Sequence, residues 1–196
     1  MSYGEGPVAV VIHGGFWRAE WKEPIMAAAS CALAALGFQA WSIEYRRVGA
    51  GGGYPQTLED VAAAIRAASD PAFAIGHSAG GQLALWAAAE GLVPAAVSLA
   101  GVCDLAAAVR DGVGNGAARE FDHPDADPMR RLPIDAELVL VHGTDDDVVP
   151  VEQSRAFAAA SGTELIELPA VGHFEVVDPR TASWQTIAGR LATLSA

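Results

Sequence analysis

The chain has few cysteines, few basic residues and no long apolar run. The two cysteines, Cys31 and Cys103, are far apart in apolar surroundings and lack metal-ligand spacing, so we expect both to be reduced and buried. Lysine and arginine total 12 against 24 aspartates and glutamates, which gives a net charge of −12. Nucleic acid and anionic membranes repel such a chain, so neither is an expected partner.

The sequence also lacks targeting and membrane signals. Hydrophobic residues make up 52% of it, yet no apolar run approaches the roughly 20 residues of a membrane span. The first residues show no basic segment followed by an apolar stretch, so we predict no secretion signal and expect a cytoplasmic protein. With 196 residues and no internal repeat, we predict a single domain over residues 1–196.

One motif stands out in what the sequence does contain: Gly76-His77-Ser78-Ala79-Gly80. It has the G-x-S-x-G spacing of a nucleophile elbow, between an apolar stretch of strand length (72–75) and a predicted helix. A serine exposed at the top of a sheet lies on a strained turn, so the positions two before and two after it favour glycine. The N-terminus of the following helix favours negative charge beside that serine. We therefore predict Ser78 as a nucleophile.

Strand and helix patterns alternate along the chain. We predict strands at 8–12, 38–43, 72–75, 94–100, 137–142 and 164–168, and helices at about 24–36, 57–68, 79–90, 105–109, 151–160 and 179–194. Pro24 suits a first helical turn, and Thr57 with Asp60 suits a capping box. This alternation predicts an α/β fold: a mostly parallel sheet of about six strands with helices on both faces. Functional residues then lie at the carboxyl ends of the strands.

A serine nucleophile needs a histidine base and an acid that orients it. His173 lies between the last predicted strand and the last predicted helix, so we predict it as the base. The other histidines have other expected roles: His77 supports the turn or lines the pocket, His142 makes structural hydrogen bonds, His13 braces its own loop, and His123 lies on the surface.

The residues alone do not decide which aspartate is the acid that orients His173. Asp145, Asp146 and Asp147 follow the fifth predicted strand, in the chain order serine, aspartate, histidine expected for this architecture. Asp104 after the fourth strand is a further alternative, and it otherwise caps the helix that starts at Leu105.

A resemblance to a known fold family separates these alternatives. Residues 142–150 resemble the HGxxDxxVP segment of α/β-hydrolase esterases, which implies that Asp146 is the acid. Residues 13–17, His-Gly-Gly-Phe-Trp, are similar to the HGG-type loop of esterases and lipases; we call them the glycine loop. The resemblance implies an oxyanion hole made by the backbone N–H groups of Gly15, Phe16 and Ala79. We expect Trp17 in the pocket wall, with the core as the alternative.

The whole set of motifs resembles the kynurenine formamidase-like (arylformamidase) and small carboxylesterase branch of the α/β-hydrolases. The matching segments are 13–17, 42–48, 76–81, the Val149-Pro150 loop and 172–174. The resemblance implies a serine hydrolase that cleaves a small-molecule carboxylic ester or aryl formamide without metal or organic cofactor. A non-catalytic binding protein on the same scaffold, and an acyltransferase or peptidase with the same triad, are the alternatives.

The sequence departs from that family in two ways. Family members usually carry two more strands before the glycine loop, so we expect an N-terminally shortened sheet whose free edge a homodimer could bury. Residues 101–135, an irregular segment beside the pocket, are too few for a large cap domain. We therefore expect an open pocket, walled by Trp17, Tyr45 and this irregular segment, that suits small acyl groups.

Overall fold

The apolar strands pair into one seven-stranded sheet in a computed structural model that describes residues 1–20 and 26–194. The strands are β1 Ser2–Tyr3, β2 Val8–Ile12, β3 Gln39–Ile43, β4 Pro71–His77, β5 Ala95–Leu99, β6 Glu137–Gly143 and β7 Glu164–Leu168. Their spatial order is β1-β3-β2-β4-β5-β6-β7. Among these strands, β1 pairs antiparallel with β3 and the other neighbours pair parallel. The predicted mostly parallel α/β sheet is confirmed.

Helices cover both faces of the sheet. They are α1 Ala27–Ala35, α2 Gln56–Ala67, α3 Ala79–Ala89, α4 Leu105–Arg110, α5 Glu152–Ser161 and α6 Ala182–Leu194. Along β2, Val10 and Ile12 belong to the core that includes α2 and α3, whereas Ala9 and Val11 belong to the core that includes α1 and α6. Burial on both faces explains why the central strands are continuous apolar runs.

The order of the strands reverses beside β2. The chain passes from β2 to β3 on one side, and then returns to place β4 on the other side of β2. In open α/β sheets such a reversal leaves a crevice at the carboxyl ends of the strands, where ligands bind. The glycine loop follows β2 and Ser78 follows β4, so both lie at this crevice.

The sheet has one more strand than we predicted. Ser2 and Tyr3 of β1 pair with Trp41 and Ala40 of β3. Two residues are too few to show the periodicity that indicates a strand, so this strand could not be predicted. β1 occupies part of the edge that we expected to be free, and burial of that edge in a homodimer stays a prediction.

The predicted helix starts need correction. The Pro24 start of α1 lies outside the described residues. The capping box at Thr57 is wrong, because α2 begins at Gln56. The Thr57 hydroxyl donates to the backbone oxygen of Arg46, and Asp60 accepts two hydrogen bonds from the guanidinium of Arg46. Contacts with a distant loop therefore replace the local cap.

The 101–135 segment contains α4 and two short 3₁₀ turns, Ala117–Glu120 and Pro128–Arg131.

Of the two cysteines, Cys103 is buried as predicted, but Cys31 is exposed on α1. The alanine-rich sequence of α1 does not show which face packs on the sheet, so the prediction for Cys31 was wrong. Within residues 1–20 and 26–194, no helix combines the length and the apolar character needed to cross a bilayer.

Candidate active site

Ser78 occupies the turn between β4 and α3 in a strained backbone conformation. Its φ is 57° and its ψ is −120°, a region that residues with a Cβ atom rarely adopt. The two flanking glycines are required by space. A Cβ on Gly76 would lie 2.0 Å from the backbone oxygen of Gly80, and a Cβ on Gly80 would lie 2.2 Å from the backbone oxygen of Ile12. The turn therefore has the geometry of a nucleophile elbow.

His173 and Asp146 form a buried hydrogen-bonded pair beside this turn. His173 Nδ1 lies 2.7 Å from Asp146 Oδ2. Asp146 Oδ1 accepts hydrogen bonds from the backbone N–H groups of Val148, at 2.9 Å, and Val149, at 2.8 Å. The His142 ring adds a further contact, with its Nε2 3.2 Å from Asp146 Oδ2.

This environment keeps Asp146 ionised. Burial alone would raise its pKa, but the hydrogen bonds from His142, His173 and Val149 outweigh it and hold the pKa well below the usual range of a carboxyl. An ionised carboxylate can only accept, so His173 Nδ1 carries the proton that lies between them. The lone pair of His173 Nε2 is then available as a base.

The other candidate acids have different surroundings. Asp145 and Asp147 are exposed in the loop, and Asp145 accepts a hydrogen bond from the Thr144 hydroxyl. Asp104 caps α4 by accepting a 2.8 Å hydrogen bond from the backbone N–H of Ala107. Of the four aspartates that the sequence left open, the structure brings Asp146 against His173.

The glycine loop packs directly on the elbow. A Cβ on Gly14 would lie 2.8 Å from the backbone oxygen of His77 and 3.0 Å from the Cβ of Ser78. After it come three residues with positive φ: Gly15 at 113°, Phe16 at 52° and Trp17 at 56°. A backbone that approaches the serine this closely can aim its N–H groups at a carbonyl oxygen bound there.

A small cleft joins these elements. It is narrow, with a cavity volume of about 10 Å³, and is lined by Gly15, Phe16, His77, Ser78, Val148, His173 and Phe174. Phe174 is 51% exposed at its rim. The phenyl rings of Phe16 and Phe174 and the side chain of Val148 make its walls largely apolar.

Two predicted pocket residues are in the core instead. Trp17 is 1% exposed, and its indole N–H donates to Gln82 Oε1 at 2.9 Å. Tyr45 is 4% exposed, and its hydroxyl donates to the backbone oxygen of His13 at 2.7 Å. Each ring satisfies its polar group inside the protein, which allows complete burial. Sequence reasoning missed Val148 and Phe174, because an apolar residue beside a catalytic motif carries no signal that separates a pocket wall from core or surface.

His77 lies at the cleft in a neutral form. It is fully buried, and its Nε2–H donates to the backbone oxygen of His173 at 2.9 Å. Burial, together with the nearby His173 ring, lowers its pKa from 6.5 to about 3. His77 therefore holds the backbone of His173 without adding a positive charge next to it.

The remaining histidines have structural contacts. His142 hydrogen-bonds through Nδ1 to the Ser154 hydroxyl and through Nε2 to the backbone oxygen of Val149. His13 stacks on the ring of Tyr45, with 4.5 Å between centroids. His123 is in the outer loop and stacks on Tyr54.

This chain is similar to known protein families. A family model described as serine hydrolase matches residues 55–193, and a model described as BD-FAE matches residues 2–98. No curated protein matches this chain.

Solved structures with the same fold include several esterases. An acetyl ester-xyloside bifunctional hydrolase from Caldicellulosiruptor lactoaceticus is 21% identical with a TM-score of 0.76, and the match covers 97% of this chain and 82% of that one. A propionate-bound thermophilic esterase from Thermogutta terrifontis is 22% identical with a TM-score of 0.77, covering 98% and 86%. A truncated carbohydrate esterase from gut microbiota is 21% identical with a TM-score of 0.73, covering 98% and 86%. These similarities establish the α/β-hydrolase fold, and the match of the serine hydrolase model to well over half of the residues shows that this chain belongs to the serine hydrolase family.

Proposed function

We propose that this protein is a serine esterase for esters of short acyl groups, with Ser78 as nucleophile, His173 as base and Asp146 as the acid that orients His173. The observation that carries the proposal is the 2.7 Å His173–Asp146 hydrogen bond beside a cleft that also contains Ser78. A base held by a buried carboxylate, next to a serine on an elbow, is the arrangement that activates a hydroxyl for acyl transfer.

The proposed reaction has two steps. Ser78 Oγ attacks the ester carbonyl while His173 Nε2 takes its proton, and the negative oxygen is stabilised by the N–H groups of Gly15, Phe16 and Ala79. The alcohol leaves with the proton from His173, and the acyl group stays on Ser78. His173 then takes a proton from water, whose oxygen attacks the acyl-enzyme carbonyl. When the bond to Ser78 Oγ breaks, His173 returns the proton to this oxygen, and the carboxylic acid leaves.

The size and walls of the cleft support a short acyl group. The cleft is narrow between Phe16 and Phe174, with a cavity volume of about 10 Å³. The similar structures point the same way: one relative is named as an acetyl ester hydrolase, and another holds propionate. An aryl formamide carries the smallest acyl group, formyl, so the narrow cleft also accommodates this second candidate substrate.

A series of p-nitrophenyl esters with acetyl, butyryl and octanoyl groups tests the proposal. We expect kcat/KM to be highest for the acetyl or butyryl ester and at least about ten-fold lower for the octanoyl ester, because the cleft cannot hold the longer chain. Ser78→Ala lowers kcat by on the order of 10⁵–10⁶-fold if it removes the nucleophile.

Two outcomes would change the conclusion. Equal rates for the wild type and Ser78→Ala would contradict the esterase and favour a binding protein on this scaffold. N-formylkynurenine is assayed beside the esters, and a preference for it by orders of magnitude would move the substrate assignment to aryl formamides.

A further inference from the structure

The glycine loop has a conformation that something outside it must hold. Phe16 and Trp17 are consecutive non-glycine residues with φ of 52° and 56°. Residues with a Cβ atom avoid this left-handed region, and such strain persists only where the surrounding structure fixes it. Contacts from other segments must therefore keep this backbone in the conformation that places Gly15 and Phe16 in the same cleft as Ser78.

The contacts converge on the indole of Trp17. The ring stacks on Phe121, with 5.1 Å between centroids and 6° between planes. The indole N–H donates to Gln82 Oε1 at 2.9 Å. Gln82 is fully buried and lies on α3 one turn after Ser78, so its side chain fixes the loop relative to the nucleophile.

The carboxamide of Gln82 has one orientation that satisfies its neighbours. Its Oε1 faces the indole N–H, which can only donate, and its Nε2–H donates at 2.6 Å to the backbone oxygen of Ala126, which can only accept. This single side chain thus connects the glycine loop, the elbow helix α3 and the 101–135 segment.

We propose that Gln82 is a positioning residue of the hydrolytic reaction: through Trp17, it holds the N–H groups of Gly15 and Phe16 where the oxyanion forms. Gln82 is not among the residues that line the cleft, so it acts indirectly, through Trp17, and not by contact with the substrate. This inference rests on the proposed function. An oxyanion hole works only in the transition state, so its loss lowers kcat and leaves KM nearly unchanged.

Three variants test the role of this hydrogen bond. Gln82→Met keeps the length of the side chain and removes both hydrogen bonds, and Trp17→Phe keeps a ring and removes the N–H donor. We expect each to lower kcat by about 10- to 100-fold with KM changed less than about two-fold, because small displacements of oxyanion donors are costly.

The Gln82→Glu variant adds a measurement that depends on pH. The carboxylate of the introduced glutamate accepts a hydrogen bond from Trp17 but repels the backbone oxygen of Ala126. A protonated carboxyl would donate to that oxygen and restore both hydrogen bonds. The ratio of the kcat of Gln82→Glu to the kcat of wild type should therefore rise as the pH falls. The same ratio for Gln82→Met should not change with pH.

Gln153→Leu is the matched control. Gln153 is a second buried glutamine, on α5, and its Oε1 accepts from the backbone N–H of Asp104. Its loss should lower Tm to a similar extent and leave kcat within about two-fold of wild type, since this hydrogen bond joins α5 to the start of α4 and involves no residue of the glycine loop.

Two-dimensional ¹H–¹⁵N NMR separates this inference from the proposed function. In Gln82→Met we expect the backbone amide signals of Gly15 and Phe16 and the indole signal of Trp17 to shift, whereas in Gln153→Leu they stay in place. A wild type without Ser78-dependent esterase activity would overturn the proposed function, and the NMR comparison would still decide whether Gln82 holds the loop. Unshifted signals in Gln82→Met, or a kcat of this variant within two-fold of wild type, would overturn the positioning role.

Discussion

The two sides of the cleft are held by different kinds of interaction. On one side, the Asp146 carboxylate accepts hydrogen bonds from backbone N–H groups and contacts the rings of His142 and His173, so that they surround one buried negative charge. We call it the acid–base side, because Asp146 and His173 are the proposed acid and base. On the other side, which we call the oxyanion side after the oxyanion hole proposed at the glycine loop, a strained backbone is kept in place by neutral contacts, above all the hydrogen bond and the ring stacking of Trp17. The first side depends on charge, and the second depends on packing.

The two sides also differ in where their partners come from. Asp146 receives two of its hydrogen bonds from Val148 and Val149 in its own loop. Trp17 instead depends on Gln82 and on Phe121, about a hundred positions further along the chain. The position of Asp146 is therefore set largely by its own loop, whereas the oxyanion side requires that the 101–135 segment has folded onto the glycine loop.

Removing the negative charge on the acid–base side should have the largest effect on activity. Asp146→Asn keeps the shape of the side chain but no longer selects the tautomer of His173 that leaves Nε2 free, so we expect kcat for the acetyl ester to fall by on the order of 10⁴-fold. Steady-state kinetics measure this loss. Asp147→Asn and Asp104→Asn are the controls and should each stay within about three-fold of wild type. A collapse of activity in Asp104→Asn with little loss in Asp146→Asn would reassign the acid.

Disturbing the packing on the oxyanion side should have a smaller effect on activity. Gly114 touches the ring of Phe16, and a Cβ there would lie 2.3 Å from Phe16 Cδ1. We expect Gly114→Ala to displace Phe16 and lower kcat by about ten-fold or more.

Gly112→Ala is the matched control for this change. Both glycines have left-handed backbones, with φ of 71° at Gly112 and 67° at Gly114, but a Cβ on Gly112 meets nothing within 4 Å. Both variants should lose about 1–2 kcal/mol of stability from the backbone conformation. If they also lose the same activity, contact with Phe16 is not the cause.

The last prediction concerns stability instead of activity: it is the pH dependence of unfolding that His77 gives to the acid–base side. Below pH 6.5 the unfolded chain binds a proton at this histidine, whereas in the folded protein its pKa is lowered to about 3, mainly by burial. The unfolding free energy should therefore fall as the pH falls from 6.5 towards 3, by up to about 1.4 kcal/mol per pH unit from this group. Asp146 acts in the same direction, but only below about pH 4.

Denaturant unfolding between pH 6 and pH 4.5 measures the contribution of His77. In this window His77→Gln should show a shallower loss of stability than wild type, because glutamine does not titrate. Identical slopes for the two proteins would show that the buried neutral His77 does not control the pH dependence.

The fold class could be predicted because it depends on local patterns. Continuous apolar runs such as β2 and the strand–turn–helix signal at Ser78 are decided within a few residues, and the structure confirms the parallel α/β sheet that they indicate. The same reasoning placed Ser78 and His173 at strand ends on one edge of the sheet, and the structure locates both at one cleft. Their catalytic roles stay predictions.

The features that could not be predicted depend on distant partners. Whether Trp17 faces the pocket or the core is decided by Gln82 and Phe121. Tyr45 is buried because it stacks on His13, and Thr57 turns to Arg46 instead of capping its helix. None of these pairings has a signature in sequence spacing, and they are concentrated around the oxyanion side of the cleft.

Covalent labelling tests the central claim most directly, because it requires both sides of the cleft to act on one serine. A fluorophosphonate is attacked only by an activated nucleophile, and the adduct places a negative oxygen where the oxyanion would lie. Peptide mass spectrometry should find one adduct per chain, on Ser78, with slower labelling in Asp146→Asn and in Gln82→Met. No adduct in the wild type, or an adduct on another residue that persists in Ser78→Ala, would contradict the account.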